Sequence, residues 1–385
     1  MTTLPLPRGP LSHAVVNALR GGPDALSSDE PGQSGQPGQP GRFEQSEESR
    51  ESRAAEIRAA DPWGDDLHLA LYVLYELHYR GFDSVPDDHE WDPGLLALRR
   101  ELEGAFLDAL RRGTPDGRTA ARALDELLVE PVDHTGSVSH HLAVEGELWQ
   151  VREYAALRSL YHLKEADPHL WVVPRLRGRA KAAMVAVEYD EFGAGRPERI
   201  HARLFADLMS DLGLENTYGH YLDRAPAPAL AAVNLMSLFG LHRALRGALV
   251  GHFAAVEITS PPGSRRMAAA MRRLGAGAAA EHFYAEHVEA DAVHEQVVRH
   301  ELVTGLLTDE PHLDADVAFG VDATGLVEER LARHLLAAWN SGSSALFAQA
   351  PAAGRYAAPG VGTRAVAQDH PPQNAVHVPR EPRST

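Results

Sequence analysis

The stretch His282-Phe-Tyr-Ala-Glu-His-Val-Glu-Ala-Asp-Ala-Val-His294 has the periodicity of an α-helix and carries ionisable groups at helical spacing. His287, Asp291 and His294 stand at i, i+4 and i+7, so on a helix they fall within roughly 60° of one another. Ala280, Phe283, Tyr284, Ala290 and Val298 share that stripe, whereas Glu286 and Glu289 point elsewhere. The stripe therefore faces a core. Two readings are open: a polar helix face with an Asp–His contact, or two imidazoles and a carboxylate gathered on a cation. Three ionisable groups in apolar surroundings are costly unless something binds them. Nitrogen and carboxylate oxygen donors suit iron, manganese or zinc.

The rest of the chain is helical in the same way. Periodic apolar segments run over about 93–112, 117–130, 146–166, 177–191, 197–212, 228–260, 264–274, 277–306 and 325–340, and strand signals are nearly absent. Pro226 and Pro228 open the 228–260 segment, and Pro261-Pro262-Gly263 is expected to close it. Asp65-Asp66 suits the N-terminus of an apolar helix from Leu67 to Tyr79. Residues 22 to about 58 and the chain from about Pro351 are rich in Gly, Pro and charge and cannot build a core. The expected organisation is a disordered extension over 1–60, one all-α domain over 61–346 and a disordered tail over 347–385.

Composition narrows the partners. A chain of 385 residues with 44% apolar side chains can bury a substantial core. A formal charge of −17 disfavours nucleic acid and anionic membranes, both of which reward a basic surface. The absence of cysteine excludes disulfides, iron–sulfur clusters and thiolate-bound zinc. Met1 to Pro10 lacks the charged-then-apolar start of a signal peptide, and no run reaches about 18 apolar residues. A soluble, cytoplasmic protein acting on a small molecule is expected.

Other helices offer further inward donors. Glu257 falls on a face with Val250, Phe253 and Ala254, where an apolar residue is expected; as a helix-end residue it is also free to bend towards solvent. His201 shares a stripe with Leu204, Phe205 and Leu208, which suits a core histidine as well as a ligand. Glu191 ends a helix, where the dipole disfavours a carboxylate. Glu165 closes another helix on a mixed stripe that leaves its direction open. Together with the triad, these residues make an inventory for two metals. The paired Glu-x-x-His elements of ferritin-like sites are missing, so another helical scaffold is needed.

The order and spacing resemble the haem-oxygenase-like di-iron oxidases, a group often labelled iron-containing redox enzymes. Their pattern has a Glu, then a Glu and a His ten residues apart, a later Glu, and His-x3-Asp-x2-His. Glu165, Glu191 with His201, Glu257, and His287/Asp291/His294 occupy these places. The blocks Lys164-Glu-Ala-Asp-Pro-His169, Asp190-Glu-Phe-Gly193, Gly240-Leu-His-Arg243 and Gly247-Ala-Leu-Val-Gly-His252 are similar too, and the likeness covers about 65–345.

The resemblance implies a haem-oxygenase-like helical bundle holding two irons, loaded as Fe(II) and oxidised to Fe(III), with O2 as cosubstrate. Glu165, His201, Glu257, His287, Asp291 and His294 would be ligands and Glu191 an additional carboxylate. His169, four residues after Glu165, is a further candidate because relatives space this pair differently. Glu76, His78, Arg243 and Arg246 are candidates for the pocket wall or for supporting the ligands, with helix packing and surface ion pairing as their alternatives. The implied reaction is N-oxygenation of an amine, or oxidative C–H or C–C cleavage of an amino or fatty acid. An electron donor and a homodimer accompany this reading. The alternative is a single-metal or non-catalytic relative that binds iron or a partner.

Overall fold

The computed structural model describes residues 2–21, 55–130 and 132–348, with Asp291 and Ala292 described by their helical backbone alone. The described residues form helices joined by turns, without a strand. The sequence-predicted disorder of residues 22–54 and 349–385 lies outside them.

The helices are α1 (Pro10–Leu19), α2 (Asp65–Glu76), α3 (Pro93–Gly113), α4 (Ala120–Leu127), α5 (Val138–Val144), α6 (Leu148–His162), α7 (Gly178–Glu191) and α8 (His201–Asp211). They continue with α9 (Ala227–Leu241), α10 (Arg246–Leu274), α11 (Ala278–Val297), α12 (Thr304–Asp309) and α13 (Asp314–Asn340). A π-helical stretch, Val298–Val303, joins α11 to α12. No helix of the described residues is long and apolar enough to cross a membrane.

The centre of the bundle is α9, which is apolar around its whole circumference and buried from Ala229 to Gly240. Such a helix is stable only when enclosed by others. It packs on α2 on one side and α13 on another, while α10 packs along α11 and α13. Glycine makes the α10–α13 approach possible. A Cβ on Gly251 would stand 2.0 Å from the Val317 carbonyl oxygen, and one on Gly320 would stand 2.0 Å from that of Ala248.

Local sequence accounts for several helix starts. Asp92, Thr119 and Ser137 accept from the backbone amides of Leu95, Arg122 and His140 and so cap α3, α4 and α5. Asp65 and Asp66 behave differently from the expectation. Asp66 accepts from the amides of Leu11 (2.9 Å) and Ser12 (2.7 Å), capping α1, and Asp65 accepts from Ala227 N at 2.7 Å, capping α9.

Three sequence expectations are corrected. The disordered extension expected over residues 1–60 contains a helix, since α1 buries Leu11, Val15 and Leu19 and packs against α2. The predicted 228–260 helix is two helices, parted by the turn at Arg243–Leu245. Pro261-Pro262 stops nothing, because α10 runs through it to Leu274. Each proline removes one backbone donor, and these leave the carbonyls of Glu257 and Ile258 without their usual i+4 partner. The Thr259 hydroxyl donates to Ala255 O at 2.7 Å within the same turn. Burial of Ser264, Met267 and Met271 holds the continuation of the helix in place.

Gly320→Ala is expected to destabilise the protein by about 1–3 kcal/mol, because a carbonyl oxygen occupies the new Cβ position. Gly325→Ala, on the same helix with open space around it, is expected to stabilise by about 0.5–1 kcal/mol. Urea denaturation of the two variants checks the pair.

Candidate metal centre

Two groups of donor atoms lie side by side in the bundle, and within each group every ligand atom lies within 4.8 Å of the others. The first is Glu165, His201 and His287; the second is Glu191, Glu257 and His294. Glu165 follows the end of α6, Glu191 is the last residue of α7, and His201 is the first of α8. Glu257 comes from α10, and His287 and His294 come from α11. The i, i+7 spacing of the two histidines puts one in each group. Asp291 sits between them on the α11 backbone, with its side chain outside the described residues.

Glu191 joins the groups. Its Oε2 lies 2.7 Å from His201 Nδ1 and its Oε1 lies 3.7 Å from His294 Nδ1. His294 Nδ1 also stands 3.2 Å from Glu257 Oε2, while its Nε2 faces Asp190 Oδ2 at 3.3 Å. The imidazoles of His201 and His287 have ring centroids 4.5 Å apart.

The donor set suits a hard or borderline cation. His287 Nδ1–H donates to the Phe283 carbonyl at 2.7 Å, which fixes the tautomer and leaves the Nε2 lone pair towards Glu165 and His201. That Nε2 is buried and has no hydrogen-bond partner among the described residues. A buried, unpaired acceptor beside carboxylates is unfavourable unless a cation takes its lone pair.

Charge points the same way. Burial alone would raise the Glu165 carboxyl, but His162, His287 and His201 outweigh it and hold it at about 2. His162 Nδ1–H donates to Glu165 Oε2 at 2.9 Å. Burial, reinforced by Glu165, Glu257 and Glu191, pushes the Tyr161 hydroxyl well above its usual range, so it remains a neutral donor.

Of the remaining sequence candidates, several are engaged elsewhere. Glu76 Oε2 accepts from Lys164 Nζ at 2.6 Å, and its Oε1 accepts from the Tyr218 hydroxyl at 2.8 Å. His78 lies between Glu90, at 3.0 Å, and Arg99. Arg243 is exposed, and Arg246 pairs with Glu310. None of the four lines the cavity beside the centre, and Glu76, His78 and Arg246 are engaged by the packing and ion-pair partners that were their alternative reading.

His169 is buried close to the centre but belongs to neither group. It leads to residues that sequence reasoning missed. Glu188, also buried, has its Oε1 4.0 Å from His169 Nδ1, and neither of its oxygens has a hydrogen-bond partner among the described residues. The His252 ring lies 5.3 Å from that of His169, and its Nδ1–H donates to Thr324 Oγ1 at 2.8 Å. Burial, then Glu191, Glu257 and Glu165, push the Glu188 carboxyl well above its ordinary value. Burial lowers His169 to about 4 and pushes His252 well below its ordinary value as well. The available signal was Met184, Val187, Glu188 and Glu191, a continuous helical stripe with two carboxylates at its end.

A cavity of about 490 Å³ adjoins the centre. Glu165, Glu191, Glu257 and His287 form part of its wall, and it extends past Tyr161 and Tyr284 to Arg158 and Glu328.

The all-helical bundle thus carries two carboxylate–imidazole groups, each able to hold a metal ion. Residues 152–328, from α6 to within α13, match the family described as iron-containing redox enzyme. The matched segment spans every residue of both donor groups. No curated protein matches the chain.

A raised carboxyl stabilises the fold fully below its unfolded value of 4.5, and that contribution is lost as the pH rises towards the folded value. In metal-free protein, Glu188→Gln should therefore raise the melting temperature relative to the native chain at pH 8 and change it little at pH 4. Thermal denaturation at the two pH values measures the difference.

Proposed function

We propose that the chain is a non-haem di-iron enzyme that uses O2 to oxidise a small organic metabolite. The observation that carries this reading is the pair of donor groups joined by Glu191, one carboxylate oxygen facing each group. A carboxylate so placed can be shared by two cations and offset their repulsion. Glu165, His201 and His287 would hold one iron, and Glu191, Glu257 and His294 the other, with Asp291 a further candidate ligand. Bound there, iron supplies the reduction of O2 and the oxidising power for the substrate.

The protein's own residues set the conditions for that chemistry. Phe283 and Phe205 pack edge to face at 5.1 Å beside His162 and His287 and keep water from that side of the centre. The Phe283 carbonyl holds the His287 ring in one tautomer. The Tyr161 hydroxyl stays protonated next to the carboxylates and can donate to a substrate atom held in the cavity. A porphyrin is a poor occupant, because ionisable side chains from five helical segments fill the place where it would lie. The activity consistent with this site is oxidation of a small molecule fitting about 490 Å³, with electrons delivered by a separate donor.

Anaerobic titration with Fe(II) should reach two irons per chain. His287→Ala and His294→Ala should each reduce the iron retained, and rapid mixing of the loaded native protein with O2 should consume O2 faster than either variant. Two tightly held irons in both variants would contradict the assignment of these histidines.

A further inference from the structure

Glu165 differs from the other donors of the two groups in having no helix to carry it. α6 ends at His162, a short helix begins at Asp167, and Glu165 lies in the turn 163–166 between them. Glu191, His201, Glu257, His287 and His294 are aimed by helical backbone. A turn residue lacks the ladder of i→i−4 hydrogen bonds that fixes the direction of a helical side chain, so other contacts have to hold it.

Those contacts come from the end of α2 and the residues just after it. On one side of Glu165, Lys164 Nζ donates to Glu76 Oε2 at 2.6 Å, and both side chains are 1% exposed. The Leu163 carbonyl accepts from Arg80 Nη2 at 3.1 Å. On the other side, Asp167 Oδ2 lies 4.0 Å from the same guanidinium. Positions 163, 164 and 167 are thus tied to Glu76, the last residue of α2, and to Arg80 one turn beyond it. An ion pair so buried gains little stability over apolar side chains of the same size. What it supplies is direction.

Tyr218 joins Glu76 to Arg80. Its hydroxyl lies 2.8 and 2.9 Å from the two Glu76 oxygens, and Arg80 stacks on its ring at 4.1 Å. Burial, Tyr72 and Glu76 push that hydroxyl well above its ordinary range, so it stays a donor. The rings of Tyr79, Tyr72 and Tyr218 lie 4.3, 4.9 and 5.9 Å from Lys164 Nζ and stand in for the water the ammonium has lost. The backbone at Tyr218 is itself pinned, because its carbonyl accepts from Thr2 Oγ1 at 2.8 Å and Thr2 O accepts from Asp83 N at 2.8 Å. Gly219 makes room for this contact, since a Cβ there would stand 2.5 Å from Thr2 Oγ1.

We infer that Tyr218 is a positioning residue for the first donor group, setting the direction of Glu165 through the Glu76–Lys164 pair and through Arg80. The inference rests on the reading of that group as a metal position. Tyr218 acts through Glu165 alone, so its effect belongs to one of the two positions.

The test is anaerobic calorimetric titration of the full chain with Fe(II), in which the two positions are told apart by variants that remove one of them. Glu165→Ala leaves the second group intact, and His294→Ala leaves the first. Tyr218→Phe keeps the ring beneath Arg80 and removes only the hydroxyl; it should weaken Fe(II) at the first position about tenfold or more. The same loss should appear in the His294→Ala background and vanish in the Glu165→Ala background. Glu76→Gln should reproduce this pattern, and it decides the question by itself if Tyr218→Phe does not fold. General loosening of the bundle would weaken both positions and add to the effect of Glu165→Ala. Unchanged affinity in Tyr218→Phe, equal losses at the two positions, or a loss that persists in the Glu165→Ala background would overturn the inference. Native protein whose Fe(II) binding is absent, or is untouched by both Glu165→Ala and His294→Ala, would instead remove the di-iron reading, and these two reference variants separate the failures.

Discussion

The interaction on which the rest of this bundle depends is that of buried carboxylates with the imidazoles that surround them. Glu165, Glu188, Glu191 and Glu257 converge from α6, α7 and α10, and the groups in contact with them are imidazoles. The cationic side chains nearest in sequence are engaged elsewhere, Lys164 with Glu76 and Arg158 with Glu328. A bare cluster of this kind opposes folding unless protons or cations compensate it. The structure holds both solutions at once. Burial pushes the Glu188 carboxyl up towards its neutral form, whereas three histidines hold the Glu165 carboxyl low. The two carboxyls are thus shifted in opposite directions, Glu188 by burial and neighbouring carboxylates and Glu165 by the histidines that outweigh its burial.

Helices give such a centre its rigidity, and their irregularities fall close to it. The π-helical stretch Val298–Val303 begins four residues after His294. Pro261 removes the backbone donor that Glu257's carbonyl would otherwise receive, one turn from the carboxylate itself. Departures of this kind concentrate where side chains must be aimed at a common point, since regular helices offer few directions. The close packing of α10 on α13 through Gly251 and Gly320 places Thr324 against His252. The same helix α13 carries Glu328 to Arg158, so one interface sets both ends of the cavity.

The donor groups and the Arg158–Glu328 ion pair line one cavity. The donor groups lie within the segment that matches the iron-containing redox enzymes, and the ion pair at the other end of the cavity reaches that segment's last residue, Glu328. Polar tyrosines link the two ends.

By itself the sequence determined the all-helical class and the grouping of His287 and His294 on one face, because both follow from a period of 3.6 residues acting locally. The same periodicity marked His201 and Glu257 as polar groups on apolar stripes. It also held the stripe of Glu188, but a carboxylate flanked by Asp190 and Glu191 is indistinguishable in sequence from a solvated helix end. Tertiary structure alone decided which donors share a group, since Glu165, His201 and His287 come from three helical segments whose relative placement no local pattern encodes. It likewise decided that Asp65 and Asp66 cap α9 and α1 in place of their own helix, and that Lys164 takes Glu76 from the site. It carried α10 through Pro261-Pro262, where packing of the following turns outweighs the lost backbone bonds. Local periodicity fixes which face is buried; only long-range packing fixes what that face meets.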